Sequence, residues 1–152
     1  MKESVTQEFE YGCGVACFAF VLGITYKKAA ELLGEVQANS ERFWIKDLNA
    51  ALNKHGLSYE RKYVKPHIRP LLEVDGAIVL IGRSKTYATG HYLVRHGGMW
   101  MDPWINMPKN KGINKAKSGY RKHLPGVPKY VIYPASIALL PIGAAKDYNV
   151  II

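Results

Sequence analysis

The chain has 152 residues, 48% hydrophobic and 22% charged, and its 21 basic and 12 acidic side chains give a net charge of +9. That length and balance predict a single folded domain spanning 1–152, and they exclude disorder, a collagen-like repeat and a disulfide-dense mini-protein. Six of the basic residues (Lys109, Lys111, Lys115, Lys117, Arg121 and Lys122) fall in one acid-free stretch, 109–123, so much of the charge is local.

No basic-then-apolar leader opens the sequence, which predicts a protein made without a secretory signal and working in a cytoplasm, its own or one it is delivered into. The uncharged run from Tyr11 to Tyr26 is too short and too interrupted for a membrane span. Cys13 to Leu22 is apolar all round, the mark of a helix buried on every side. Gly23 and Gly34 end two successive helical segments, and Thr25 caps the second, Tyr26 to Leu33. A third helix is expected from about Trp44 to Lys54, with Ile45, Leu48, Ala51 and Leu52 on one side and His55-Gly56 at its end. From Leu57 the period changes. Leu57 to Val64 reads as a strand stopped by Pro66, and Ile68 to Val74 as a short helix disturbed by Pro70. Gly76 to Gly82 is a continuous apolar run between turn residues, as in a strand covered on both faces. His91 to His96 and Met99 to Asp102, joined by Gly97-Gly98, read as a hairpin. After a solvated loop at 109–123, Pro128 to Tyr133 and Ile137 to Pro141 are expected strands, followed by a tail, 144–152. Helices first and antiparallel strands afterwards predict an α+β fold, with a helical part at about 1–56 and a sheet part at about 57–143.

Two cysteines cannot make a disulfide framework, and at four apart on one helix Cys13 and Cys17 are badly placed to bridge each other. Free thiols suit a reducing compartment. Cys13 opens a buried helix, where unpaired backbone N–H groups and the helix dipole favour a thiolate, and glycines on either side promise room for a substrate backbone. Cys17, one turn further in, reads as a small core residue. A two-residue Gly-Gly turn makes facing residues sum to 195, so Leu93 faces Asp102, and His91 shares that face as the diagonal neighbour of the carboxylate. An acid there orients the imidazole and selects its tautomer. His96 has the opposite parity, and His55, His67 and His123 have ordinary surface readings. Gln7, six residues before Cys13, is a candidate second oxyanion donor beside the Cys13 N–H. Nucleophile, base, orienter and oxyanion donor together make a cysteine hydrolase site with no metal or cofactor in its chemistry. Trp100, Trp104 and Tyr92 read first as packing residues, although Trp104 is also near enough to Asp102 in sequence to wall a cleft.

The run from Gln7 through Tyr11-Gly12-Cys13-Gly14 to Cys17 resembles the Gln-then-Cys-Gly start of the bacteriocin-processing cysteine peptidases, and His91-Tyr92-Leu93-Val94 with Asp102-Pro103 is similar to their second block. Ile24 to Gly34 and Leu48 to Leu57 look like the two helices between those blocks, so the likeness spans Gln7 to Trp104 in matching order. It implies a papain-like fold cutting peptide or protein substrates, in that family leader peptides after a double glycine, with Cys13 as nucleophile, His91 as base, Asp102 as orienter and Gln7 in the oxyanion hole. The sequence departs from the family in having Gly12 where an acid usually precedes the cysteine, and in a compact hairpin. No membrane or ATP-binding segment follows, so an exporter role is not expected.

Papain-like folds also carry deamidases and acyltransferases with the same groups, so deamidation or acyl transfer stands as an alternative reaction. Small size and positive charge also fit a bacterial toxin domain with an inhibitor or immunity protein as partner. A different class, a nucleic-acid-binding protein or nuclease, rests on the basic stretch 109–123 with Tyr120 and Tyr130. A solvated loop is the favoured reading of that stretch, because Gly112 and Gly119 punctuate it and Pro125 follows it.

Overall fold

The computed structural model of the chain describes residues 1–107 and 112–136. Four helices come first: α1 (Cys13–Leu22), α2 (Tyr26–Leu33), the single turn α3 (Glu35–Ala38) and α4 (Ile45–Lys54). Six strands follow: β1 (Tyr59–Tyr63), β2 (Ile78–Ile81), β3 (His91–His96), β4 (Met99–Asp102), β5 (Gly119–Arg121) and β6 (Pro128–Pro134). They form one antiparallel sheet in the order β1-β6-β2-β3-β4-β5, so the fold is α+β as expected. The expected strand Ile137 to Pro141, the tail 144–152, Lys109 and Lys111 lie outside the described residues.

Local chemistry sets the helix ends. Gly23 adopts the left-handed conformation (φ 72°) that closes α1, and the Thr25 hydroxyl accepts the Lys28 N–H at 3.1 Å to open α2. Asp47 reaches back to the Trp44 N–H at 2.9 Å, fixing the start of α4 one residue later than expected. The short helix expected near Ile68 to Val74 is a 3-10 helix, Pro66–Glu73, with Pro66 at its first position, where the missing N–H costs nothing, and Pro70 inside it removing one backbone donor.

The sheet has a core on each face. Ile78, Tyr92, Val94, Met101 and Ile132 pack against α1, α2 and α4, while Val79, Ile81, Leu93, Trp100, Val131 and Tyr133 pack against the 3-10 helix. Alternation along each strand divides these sets, and cover on both faces explains why β2 is apolar without a break. Helix α1 lies directly on β3, and Val15 through Ala19 are fully buried.

The described part of the basic stretch, 112–123, differs from the expected loop. Ile113–Lys115 is a 3-10 turn, and Gly119–Arg121 is β5, paired to β4 with Trp100 opposite Arg121 and Asp102 opposite Gly119. Three residues are too few for alternation to show against the surrounding charge, so the pairing comes from tertiary contact rather than from local pattern.

Candidate active site

The hairpin positions the imidazole and the acid. Gly97 and Gly98 both take positive φ (56° and 77°), giving the tight turn whose twist matches the strands. Val94 then faces Met101, Arg95 faces Trp100 and His96 faces Met99. Every facing pair sums to 195, which puts His91 and Asp102 on one face at the open end of the hairpin. His91 Nε2 lies 2.7 Å from Asp102 Oδ1, with the side chains 3% and 0% exposed. His96, on the opposite face, packs edge-on against Phe20 of α1.

Asp102 is held from two further directions. The Trp104 N–H donates to Oδ1 at 2.9 Å, and the Arg121 guanidinium bonds Oδ2 at 2.9 Å. Burial alone would raise this carboxyl, but the hydrogen bond and charge of His91, the Trp104 N–H and Arg121 together hold it below the usual carboxylate range. Arg121 was not singled out among the basic residues of 109–123, and nothing local marks it apart from its neighbours. The Trp104 side chain is buried at 1% exposure, in keeping with the packing reading.

His91 is clamped on its flat side as well. Gly90 turns the chain into β3 with φ 82°, and a methyl there would come 2.9 Å from the Ile81 carbonyl oxygen. The Tyr87 ring stacks on the imidazole with centroids 4.6 Å apart and planes 14° from parallel. Tyr87 was missed by sequence reading, since an aromatic in a loop carries no such signal. With Nε2 turned to Asp102, Nδ1 is the nitrogen left for the thiol side. Burial pushes the His91 proton affinity down, but hydrogen bonds to Asp102 and to Cys13, and the negative charge of both, outweigh it and raise the pKa to about 9.

Cys13 is the first residue of α1, half-buried and open to the same cleft as His91, with Gly12 as the helix N-cap and no acid in the first turn. Cys17 is fully buried, and burial pushes its thiol well up. The glycines beside Cys13 do not leave the expected open space: a methyl on Gly12 would meet the Tyr26 hydroxyl, and one on Gly14 the Phe43 ring at 3.0 Å. The protein's own side chains fill that volume.

Gln7 lines the cleft at 2% exposure, and its backbone N–H is tied to the Pro103 carbonyl at 3.2 Å. Its amide donates to the carbonyls of Phe9 (3.0 Å) and Glu10 (3.1 Å), while Oε1 is buried without a partner. Both amide hydrogens are therefore taken, and presenting one to a substrate oxygen requires release from a neighbouring carbonyl.

The cleft has a volume of about 1000 Å³ and runs from Cys13 and His91 along the helix-side face of the sheet, past Tyr92, Leu80 and Tyr130, to Arg61 on β1. Phe43, Trp44 and the first turn of α4 form its other wall. Among the described residues no three His, Cys, Asp or Glu side chains gather as metal ligands, and no helix is long and apolar enough to cross a membrane.

No family model and no curated protein matches the chain. Among solved structures, it is similar to the crystal structure of the peptidase domain of Streptococcus ComA, a bi-functional ABC transporter involved in a quorum-sensing pathway. The two share 16% sequence identity over 88% of this chain and 97% of that one, with a TM-score of 0.47.

Proposed function

We propose that the chain is a papain-like cysteine peptidase, with Cys13 as nucleophile, His91 as acid and base, and Asp102 as the residue that orients His91. The observation that carries this reading is that a half-buried thiol at a helix N-terminus and the imidazole of a buried His91–Asp102 pair line the same cleft. The order of the motifs along the chain, from Gln7-to-Cys13 through His91 to Asp102, supports it independently.

In the reaction, the Cys13 thiolate attacks the carbonyl carbon of a peptide bond. A carbon–sulfur bond forms as the carbonyl electron pair moves onto oxygen. Backbone N–H groups of the first turn of α1 meet that oxyanion, joined by the Gln7 amide once it leaves Phe9 or Glu10, and each such donor is worth about 3 kcal/mol. His91 gives its proton to the leaving nitrogen as the carbon–nitrogen bond breaks. Water then attacks the thioester, His91 takes its proton, and the thiolate departs. Asp102 keeps the Nε2 proton in place throughout, with its own second oxygen held by Arg121.

The test uses a randomised decapeptide library read by mass spectrometry. The parent protein is expected to cleave it, and Cys13→Ser to lose cleavage by at least about 1000-fold while keeping its melting temperature. Iodoacetamide should label Cys13 in the parent and spare the fully buried Cys17. A Ser variant cutting at the parent's rate would remove Cys13 from the nucleophile role.

A further inference from the structure

We propose that the cleft selects peptides carrying Asp or Glu within about four residues of the reacting amide bond, with Arg61 and Lys129 as the specificity-determining residues. The inference rests on the peptidase reading for its choice of scissile bond, and on separate observations for its charge.

Cations step away from His91 strand by strand along the cleft. Ile81 of β2 faces His91, and Arg83 follows two residues later. Lys129 comes next on β6, its side chain lying over Gly82, where an added methyl would meet the lysine Cε at 2.9 Å. Arg61 stands on β1, opposite Ile132 and therefore on the helix-side face with Leu80 and Tyr130. Lys46, in the first turn of α4, faces the same cleft. All four side chains are exposed, and none has an ion-pair partner among the described residues. The cleft's two acids, Glu10 and Glu41, come before α1 and before α4, so Glu41 shares a wall with Lys46, while the sheet side, which carries Arg83, Lys129 and Arg61, contributes no acid.

Uncompensated cations along a groove cost little while solvated and become attractive once a bound chain displaces water from one side of them. Tyr92, Leu80 and Tyr130 lie beneath, so the groove offers an apolar floor and a basic rim. From β3 to β1 is three strand spacings, about 14 Å, which an extended peptide covers in about four residues. That length sets the reach of the preference.

The experiment separates binding from cleavage. Cys13→Ala protein is immobilised and panned at low ionic strength with randomised decapeptides, and the retained sequences are read by mass spectrometry. Retained peptides should be enriched in Asp and Glu. In Arg61→Glu/Lys129→Glu on the same background, affinity for an acidic decapeptide should fall about tenfold and the enrichment should vanish. Lys27→Glu/Lys28→Glu, the same change of net charge on exposed positions of α2 outside the cleft, should keep it. Retained peptides without acidic enrichment, or enrichment that survives the cleft variant or is lost equally in the α2 control, overturns the inference. The parent protein is then incubated with the library. Cleavage without acidic preference leaves the peptidase reading standing and removes this one, whereas acidic peptides that bind through Arg61 and Lys129 but stay intact do the reverse.

Discussion

A methyl group on Gly12 would run into the Tyr26 hydroxyl oxygen, a contact no side chain can make without displacing a buried tyrosine. Tyr26, hydrogen-bonded to Asn39, occupies the space that any larger residue at position 12 would need. Gly12→Ala is expected to destabilise the protein by about 1–3 kcal/mol in urea unfolding, and Tyr26→Phe should recover part of that loss in the double variant. Equal losses with and without the hydroxyl would show that the clash is relieved elsewhere. His91 offers a second residue-level test. Its pKa is raised to about 9 against a lowering by burial, by hydrogen bonds to Asp102 and Cys13 and by their charge. The attacking form carries a protonated imidazole, so kcat/KM should fall as pH rises through about 9. Asp102→Asn removes one of the supports, and that alkaline limb should move to lower pH along with a drop in rate. A limb that stays in place would mean that Asp102 does not set the proton affinity of His91.

Elements differ in how much of them a local reading reaches, and the hairpin and β5 are the two extremes. Gly97-Gly98 admits a tight turn, the turn fixes the register, and the register alone puts His91 beside Asp102. The buried helix α1 and the doubly covered β2 were legible in the same way, because their apolar runs are long enough to set a period. Strand β5 is not. It has three residues, and its partners on β4 lie 17 to 21 positions upstream, so its pairing comes from tertiary contact rather than from a local turn. Gln7 is an intermediate case: its place in the cleft was legible, but the occupation of its amide by Phe9 and Glu10 depends on the exact path of the loop into α1. The contribution of β5 to the site is one side chain, Arg121, 29% exposed and bonded to the fully buried Asp102. Removing it strands one oxygen of a buried carboxylate. Arg121→Ala should therefore cost about 1–3 kcal/mol of stability and lower activity, and Arg121→Lys should recover part of both by restoring the charge. Equal effects of Ala and Lys would locate the role of Arg121 in the pairing of β5 rather than in its charge.

At the scale of the whole molecule, the site couples catalysis to folding, because β3, β4, β5 and the N-terminal segment all end at Asp102 or beside it. Gln7 is tied to Pro103, Arg121 to one carboxylate oxygen, and His91 and the Trp104 N–H to the other. The sign of the resulting pH dependence follows from the two shifts. Asp102 is held below its ordinary 3.8, so its contribution is present above that value and is lost as pH falls through the lower folded-state value. His91 is raised from 6.5 to about 9, so its contribution is complete below 6.5 and is lost as pH rises through about 9. The parent protein's stability advantage over Asp102→Asn should therefore be greatest between about pH 4 and 6.5 and narrow on both sides. The acid side is the sharper test, since Asn cannot titrate and the remaining carboxylates are common to both proteins. Urea midpoints measured for the pair from pH 2.5 to 9.5 decide it. A gap that stays constant from pH 6 down to 2.5 would mean that Asp102 takes up its proton alike in the folded and unfolded protein, and the lowering assigned to His91, the Trp104 N–H and Arg121 would fall with it.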